Sequence, residues 1–175
     1  MPAPPFLVDI TCLNISRRHM PTDLEQELKQ TRPFKSPHEE AFVGLQRTAA
    51  LLEHAIETLL KPSGVTATQY NVLRILRGAG EQGLCRSEVG QRMVRRVPDV
   101  TRLLDRLEET GLIARTRGGE DRRYVSTTIT PKGLETLAAI DEVIPPFLEQ
   151  HMGALDAEQL QSLTSLLSIL RRAHA

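Results

Sequence analysis

Residues 86–111 read RSEVGQRMVRRVPDVTRLLDRLEETG, and this stretch decides the fold. Val89 and Met93 lie four apart, the spacing of one face of a two-turn helix, and Gly90 beside them marks a close crossing that admits only a small residue. Arg95-Arg96-Val97 then turns the chain. Pro98 opens a stronger helix with Val100, Leu103, Leu104 and Leu107 in one stripe, and Gly111 ends it. Helix, tight turn, helix, with a small residue near the crossing, is the layout of a helix-turn-helix.

Towards the C-terminus the period changes. Residues 112–117 and 123–129 are β-rich runs joined by Gly118-Gly119-Glu120-Asp121-Arg122, which predicts a hairpin with a polar tip. Thr130-Pro131 starts a long helix with Leu134, Leu137, Ile140, Ile144 and Leu148 inward, and Pro145-Pro146 is expected to kink or split it. Asp156-Ala157-Glu158-Gln159 caps a last helix, stapled by Leu155 and Leu160, with Leu163, Leu166/Leu167 and Leu170 along its stripe.

Towards the N-terminus, Thr66-Ala67-Thr68-Gln69 is a capping box, with Val65 and Tyr70 placed for a hydrophobic staple. Leu73 and Leu76 continue the buried face of that helix, and Gly78 and Gly80 are expected to end it. Before it, Ser36-Pro37-His38-Glu39 opens a long amphipathic helix through Phe42, Leu45, Ala49, Leu52, Ile56 and Leu59, closed by Pro62 and Gly64. Residues 1–36, with five prolines, read as an arm with a short helical stretch over residues 22–30.

The predicted class is therefore mostly α: a winged helix-turn-helix, with a three-helix core and a β-hairpin wing, flanked by N- and C-terminal dimerisation helices. The expected division is an arm (1–36), an N-terminal dimerisation helix (37–64), a winged domain (65–130) and C-terminal dimerisation helices (131–175). Two helices that are apolar on one stripe, at opposite ends of the chain, need a cover that the small central domain cannot supply. Intrachain packing is the alternative to dimerisation.

The 175 residues carry 22 Lys+Arg against 22 Asp+Glu, a formal net charge of zero, which argues at first against a nucleic-acid partner. The distribution reverses that argument. Between Arg86 and Arg123 lie ten basic residues, all arginine, and seven acids, while residues 133–170 hold six acids and no Lys or Arg. The segment has a surplus of three positive charges and the remainder an equal deficit. Arginine presents a rigid fork that bonds phosphate or guanine bidentately.

Thr101 and Arg102, off the apolar stripe of the second helix, can supply base contacts. Arg95 and Arg96 at the mouth of that helix suit phosphate. At the hairpin tip, Arg122 or Arg123 can enter a narrow minor groove, and Arg117 is expected on the backbone. Arg106 lies a turn deeper, where bracing the wing is the alternative to DNA contact. Surface ion pairing of Arg102 and Arg106 with Asp105 is the plainer reading of those charges.

Three motifs together resemble the MarR family of transcriptional regulators. They are residues 99–108 (DVTRLLDRLE) with Gly111-Leu112, then Asp121-Arg122-Arg123, then Ile129-Thr130-Pro131-Lys132-Gly133. The resemblance covers residues 39–172. It implies a homodimer held by its terminal helices, bound to a pseudo-palindromic double-stranded operator and released by an oxidant or a phenolic or hydrophobic effector. It also brings Pro98 and Asp99 into the DNA-facing set, and favours Arg123 as the minor-groove residue, oriented by Asp121. From the family layout, an effector pocket is expected between the dimer helices and the winged domain, lined by Leu52, His54, Ile56, Tyr70 and Leu73.

Cys85 falls where the family has a polar helix cap, and Arg86 beside it favours a thiolate, so a thiol-based redox switch is one alternative. The family's peroxide-sensing members carry their cysteine in the first long helix, which has none here. A winged helix used only for protein contacts is a second alternative. Cys12 and Cys85 cannot build a disulfide framework, which points to a reducing, cytoplasmic setting. Asp9 interrupts the only apolar N-terminal patch, arguing against a signal peptide, and no apolar run reaches the length of a membrane span. His54 has no second ligand at metal spacing, so neither a metal nor a cofactor is expected. No phosphate loop, nucleophile elbow, His-Glu-x-x-His or Cys-x-x-Cys motif suggests an enzyme.

Overall fold

The computed structural model describes residues 22–117 and 125–174, which belong to two compact units, one ending at Ala50 and one spanning Leu51–Ala175. The first holds α1 (Asp23–Glu27) and the start of α2 (Pro37–Leu60). Thr22 and Glu25 form a capping box around α1. The buried Glu25 carboxylate accepts from the Thr22 amide at 2.9 Å and the Phe34 amide at 2.8 Å, pinning the following loop. The helical stretch expected over residues 22–30 is shorter than that, because Lys29 adopts a left-handed φ of 51°. Ser36 caps α2 by accepting from the Glu39 amide at 3.2 Å, and the Glu39 carboxylate reaches back to the Lys35 amide.

The second unit continues α2 to Leu60, followed by a 3₁₀ turn (Lys61–Ser63) that Gly64 closes at φ 70°. Next come α3 (Ala67–Ala79), a 3₁₀ turn (Gly80–Gln82), α4 (Arg86–Arg92), α5 (Val100–Glu109), β1 (Ile113–Arg117), β2 (Val125–Ile129), α6 (Pro131–Met152) and α7 (Ala157–Arg172). The expected capping boxes at Thr66 and Asp156 both form. Gly78 stays inside α3, and Gly80 beyond it, at positive φ, is its C-cap.

α5 begins two residues later than Pro98 suggested. The Asp99 carboxylate accepts from the Arg102 amide at 2.9 Å and makes Asp99 the N-cap, so Pro98 lies ahead of the helix. Of the kink or split expected in α6, the split does not occur, because one helix runs through Pro145 and Pro146. Both prolines and the residues four before them, Asp141 and Glu142, are exposed, so solvent can take the carbonyls that lose their helical donors.

The core is the meeting of α3, α4, α5, β1 and α6. Val72, Leu73, Leu76, Val89, Leu104, Leu107, Ile113, Leu137 and Ile140 are fully or almost fully buried in it, each such side chain stabilising the fold by about 1.5–3 kcal/mol. β1 pairs antiparallel with β2, from Ile113 opposite Ile129 to Arg117 opposite Val125. A third short partner joins them. Leu84 donates to the Thr127 carbonyl at 3.0 Å and accepts from the Thr127 amide at 2.9 Å.

Two glycines make these junctions possible. Gly83 has φ 64°, and a side chain there would strike Ser126 and the Thr127 carbonyl. A Cβ on Gly133 would overlap the Leu112 carbonyl and Ile129, so the start of α6 can lie against the hairpin root only with glycine present. Thr130 completes that joint: its hydroxyl donates to the Gly111 carbonyl at 2.7 Å and accepts from the Gly133 amide at 3.1 Å. At the α4–α5 crossing Gly90 approaches Val100, and a Cβ there would reach ordinary contact at 3.4 Å, less exclusive than expected.

Candidate nucleic-acid interface

The turn between α4 and α5 projects a cluster of exposed side chains. Val94, Arg95, Arg96, Pro98, Thr101, Arg102 and Arg106 all face solvent, with Val94 at 91% exposure. The turn is tethered from behind, because the Val94 amide donates to Asn71 Oδ1 on α3 at 3.0 Å. Behind α5, Leu104 and Leu107 are locked in the core. The exposed face therefore sits on a rigid base, as a set of contact residues requires.

Arginines of this region meet different fates. Arg115 on β1 is half-buried between two acids of α5: it pairs with Asp105 at 2.7 Å and donates through Nε to Glu108 at 2.8 Å, with a second bond from Nη2. The Glu108 carboxyl is held below the usual carboxylate range, chiefly by its hydrogen bond from Arg115. Asp105 is therefore committed to the strand and pairs with neither Arg102 nor Arg106. Arg115 thus braces the root of the hairpin against α5. Arg95 makes a loose, exposed ion pair with Glu53 of α2 at 3.4 Å. Among the described residues, Arg96, Arg102, Arg106 and Arg117 form no ion pair and remain exposed.

Asp99 serves as a cap, with both its carboxylate and the start of α5 at the solvent edge. Asp121, Arg122 and Arg123, the predicted wing tip, lie outside the described residues, as does Cys12. β1 and β2 nonetheless carry the wing's root, with Arg117 at its far end.

Cys85 is half-buried at the start of α4. Its amide donates to the Glu88 carboxylate at 2.7 Å, which holds that carboxyl below its ordinary range, and its Sγ lies 3.0 Å from Ser87 Oγ. A hollow of about 450 Å³ opens between α4, α5 and the hairpin, with Cys85, Arg86, Thr101, Leu104, Arg115 and Thr127 in its walls. Within it Arg86 donates to Thr101 Oγ1 at 3.1 Å.

The five residues of the expected effector pocket lie in different settings in the single chain. Leu73 and Tyr70 belong to the core, Ile56 packs against that core and Leu52 is half-buried. His54 is exposed and borders a separate hollow with Glu57, Thr58, Lys61 and Val65. Among the described residues, no cluster of His, Cys, Asp or Glu could hold a metal, and no helix is long and apolar enough to cross a membrane.

Besides the pairing of Arg115, the contacts without a sequence signal strong enough to find them include Asn71 to Val94, Glu53 to Arg95, Arg86 to Thr101, and the Leu84–Thr127 pairing. Each joins residues at least 15 apart through a single hydrogen bond, ion pair or bridge. Only the last had a pointer, in the glycine that precedes Leu84.

Comparison with known proteins agrees with this architecture. The family model described as the MarR family matches residues 65–125. The transcriptional repressor IacR of Pseudomonas putida is 26% identical over 129 residues, covering 74% of this chain and 76% of its own. A MarR transcription factor from Planctomyces limnophilus is 34% identical, with a TM-score of 0.61 over 78% of this chain and 98% of that one. A cysteine-to-serine mutant of Escherichia coli MarR, crystallised with operator DNA, shares the fold at 21% identity and a TM-score of 0.69, over 85% of this chain and 99% of that one. Winged core, arginine-bearing turn and sequence kinship agree: the chain belongs to the MarR family, whose members are DNA-binding transcriptional regulators rather than enzymes.

Proposed function

We propose that this regulator acts as a homodimeric repressor on a pseudo-palindromic operator. Thr101 and Arg102 read bases, Arg96 and Arg106 hold phosphates with Arg117, and the wing tip at Asp121, Arg122 and Arg123 reaches the minor groove. The observation that carries this reading is the set of exposed arginines, Arg96, Arg102, Arg106 and Arg117, which among the described residues form no ion pair around α5, while Arg115 nearby pairs with Asp105 and Glu108. A protein-docking wing would have no use for unneutralised charge at both α5, the recognition helix of this reading, and the hairpin. Arg95 joins the phosphate contacts by exchanging Glu53, an exchange of small cost because the pair is exposed.

The dimer reading rests on apolar surface that the single chain leaves open. Leu166, Ile169 and Leu170 of α7, Leu148 of α6 and Phe42 of α2 are all more than half or about half exposed, and α7 has no buried residue. Two-fold pairing would set the two recognition helices about 34 Å apart, one turn of duplex. Repression follows the character of IacR, and release by a phenolic or hydrophobic small molecule is the expected mode of control.

The test is a salt titration of duplex binding. Each phosphate contact contributes to a log–log slope of about −0.9. Arg96→Ala should weaken binding to all sequences alike and flatten the slope by about 1. Wild-type binding without steep salt dependence would overturn the DNA-contact assignment.

A further inference from the structure

We infer that Arg86 is a specificity-determining positioning residue: its bond to Thr101 turns the Thr101 hydroxyl into a dedicated hydrogen donor towards the base edge. The inference rests on the proposed reading in which Thr101 faces a base.

A threonine hydroxyl has one hydrogen and two lone pairs, and by itself serves either partner. Helix-borne threonines often spend the hydrogen on their own backbone. Thr58, Thr136 and Thr164 donate to His54, Lys132 and Leu160, each four residues back and each at 2.9 Å. Thr101 has no such outlet. It lies in the first turn of α5, where the carbonyl four residues back belongs to Val97, before the helix. Among the described residues its hydroxyl donates to no protein acceptor, and its oxygen instead accepts from Arg86 Nη1 at 3.1 Å. Among the described residues the hydrogen is therefore left without an acceptor and is open to a base edge, and the guanidinium alongside repels any second donor that approaches the oxygen.

Arg86 is well placed to impose this. It opens α4, which is anchored by the fully buried Val89 and by the Cys85 amide bond to Glu88. Among the described residues no acid pairs with Arg86, so its donors are not withdrawn from Thr101. A cation in the first turn of a helix runs against the helix dipole, a local departure that helix stability does not explain.

In the major groove guanine offers O6 and N7 and thymine offers O4 as acceptors, whereas cytosine presents the N4 donor. A hydroxyl confined to donating should select guanine over cytosine at the base it meets. One neutral hydrogen bond corresponds to about two- to tenfold in that ratio.

The experiment is a selection from randomised duplexes with the full-length protein, Thr101→Val, Arg86→Ala and Arg86→Lys, at one salt concentration. Thr101→Val should abolish the guanine-over-cytosine ratio at one position of each half-site. Arg86→Ala should collapse the same ratio and leave the other positions unchanged, and Arg86→Lys, which keeps a donor, should retain it. If Arg86→Ala weakens all sequences equally with the ratio intact, Arg86 only holds phosphate and the inference is wrong. An unchanged ratio in Thr101→Val also overturns it, while the operator reading stands. A wild-type protein that enriches no sequence would instead overturn the operator reading itself.

Discussion

α5 and α7 are both amphipathic helices begun by an aspartate cap, and they end in opposite situations. α5 places Leu104 and Leu107 in the core, so its apolar side is satisfied within the chain; what it leaves outside is charge, on Arg102 and Arg106. α7 buries no residue, and what it leaves outside is hydrocarbon, on Leu166, Ile169 and Leu170. Exposed charge costs little in water, whereas exposed apolar surface forgoes about 25 cal/mol for every Å² that a partner could cover. The two helices thus call for different partners, a polyanion in one case and an apolar surface in the other, and for different strengths of dependence on them.

The largest effect should come from α7. Replacing Leu166 and Ile169 together by Glu should reduce the solution mass to that of a single 19.5 kDa chain in sedimentation. Operator affinity should fall by about 100-fold or more, because the second half-site is no longer tethered. A variant that stays dimeric would erase the distinction drawn for α7. Next, Arg102→Ala should cost about 1–3 kcal/mol of operator binding and relax sequence preference, with the thermal midpoint unchanged.

Arg115→Ala sharpens the contrast within the arginines. Its side chain is only 25% exposed and joins α5 to β1, so its loss should appear first as stability, about 1 kcal/mol or a few degrees in thermal melting. The smallest effect concerns Glu108. Its folded carboxyl lies below the ordinary range, so the stability it supplies is complete above that range and is lost as the pH falls through the lowered value. Glu108→Gln should shallow the acid limb of a melting-temperature profile, leaving the neutral limb nearly parallel to wild type.

How much of this was legible depended on the range of the interaction. Caps and periodicity are local, so Thr66–Gln69, Asp156–Gln159 and the alternation of apolar positions in α3, α5 and α7 could be read directly. The split that Pro145-Pro146 suggested does not occur, because a proline's cost depends on whether solvent can reach the freed carbonyls, which is a property of the folded surface. Pro98 misled because Asp99, one residue on, is the stronger cap. The arginine count showed that positive charge was concentrated, but not that Arg115 was spent on Asp105 and Glu108 while Arg102 was not. That partition depends on strand–helix packing. Tyr70 and Leu73 are drawn inward by the same apolar stripe that makes α3 a core helix.

The Leu84–Thr127 pairing gives the hairpin a third member, and with it a mechanical consequence. Two backbone hydrogen bonds rivet the wing's root to the segment that leads directly into Cys85, Arg86 and α4. The root of the hairpin is thereby coupled to the helix-turn-helix, and a displacement of β2 at Thr127 is carried through Leu84 to the first turn of α4.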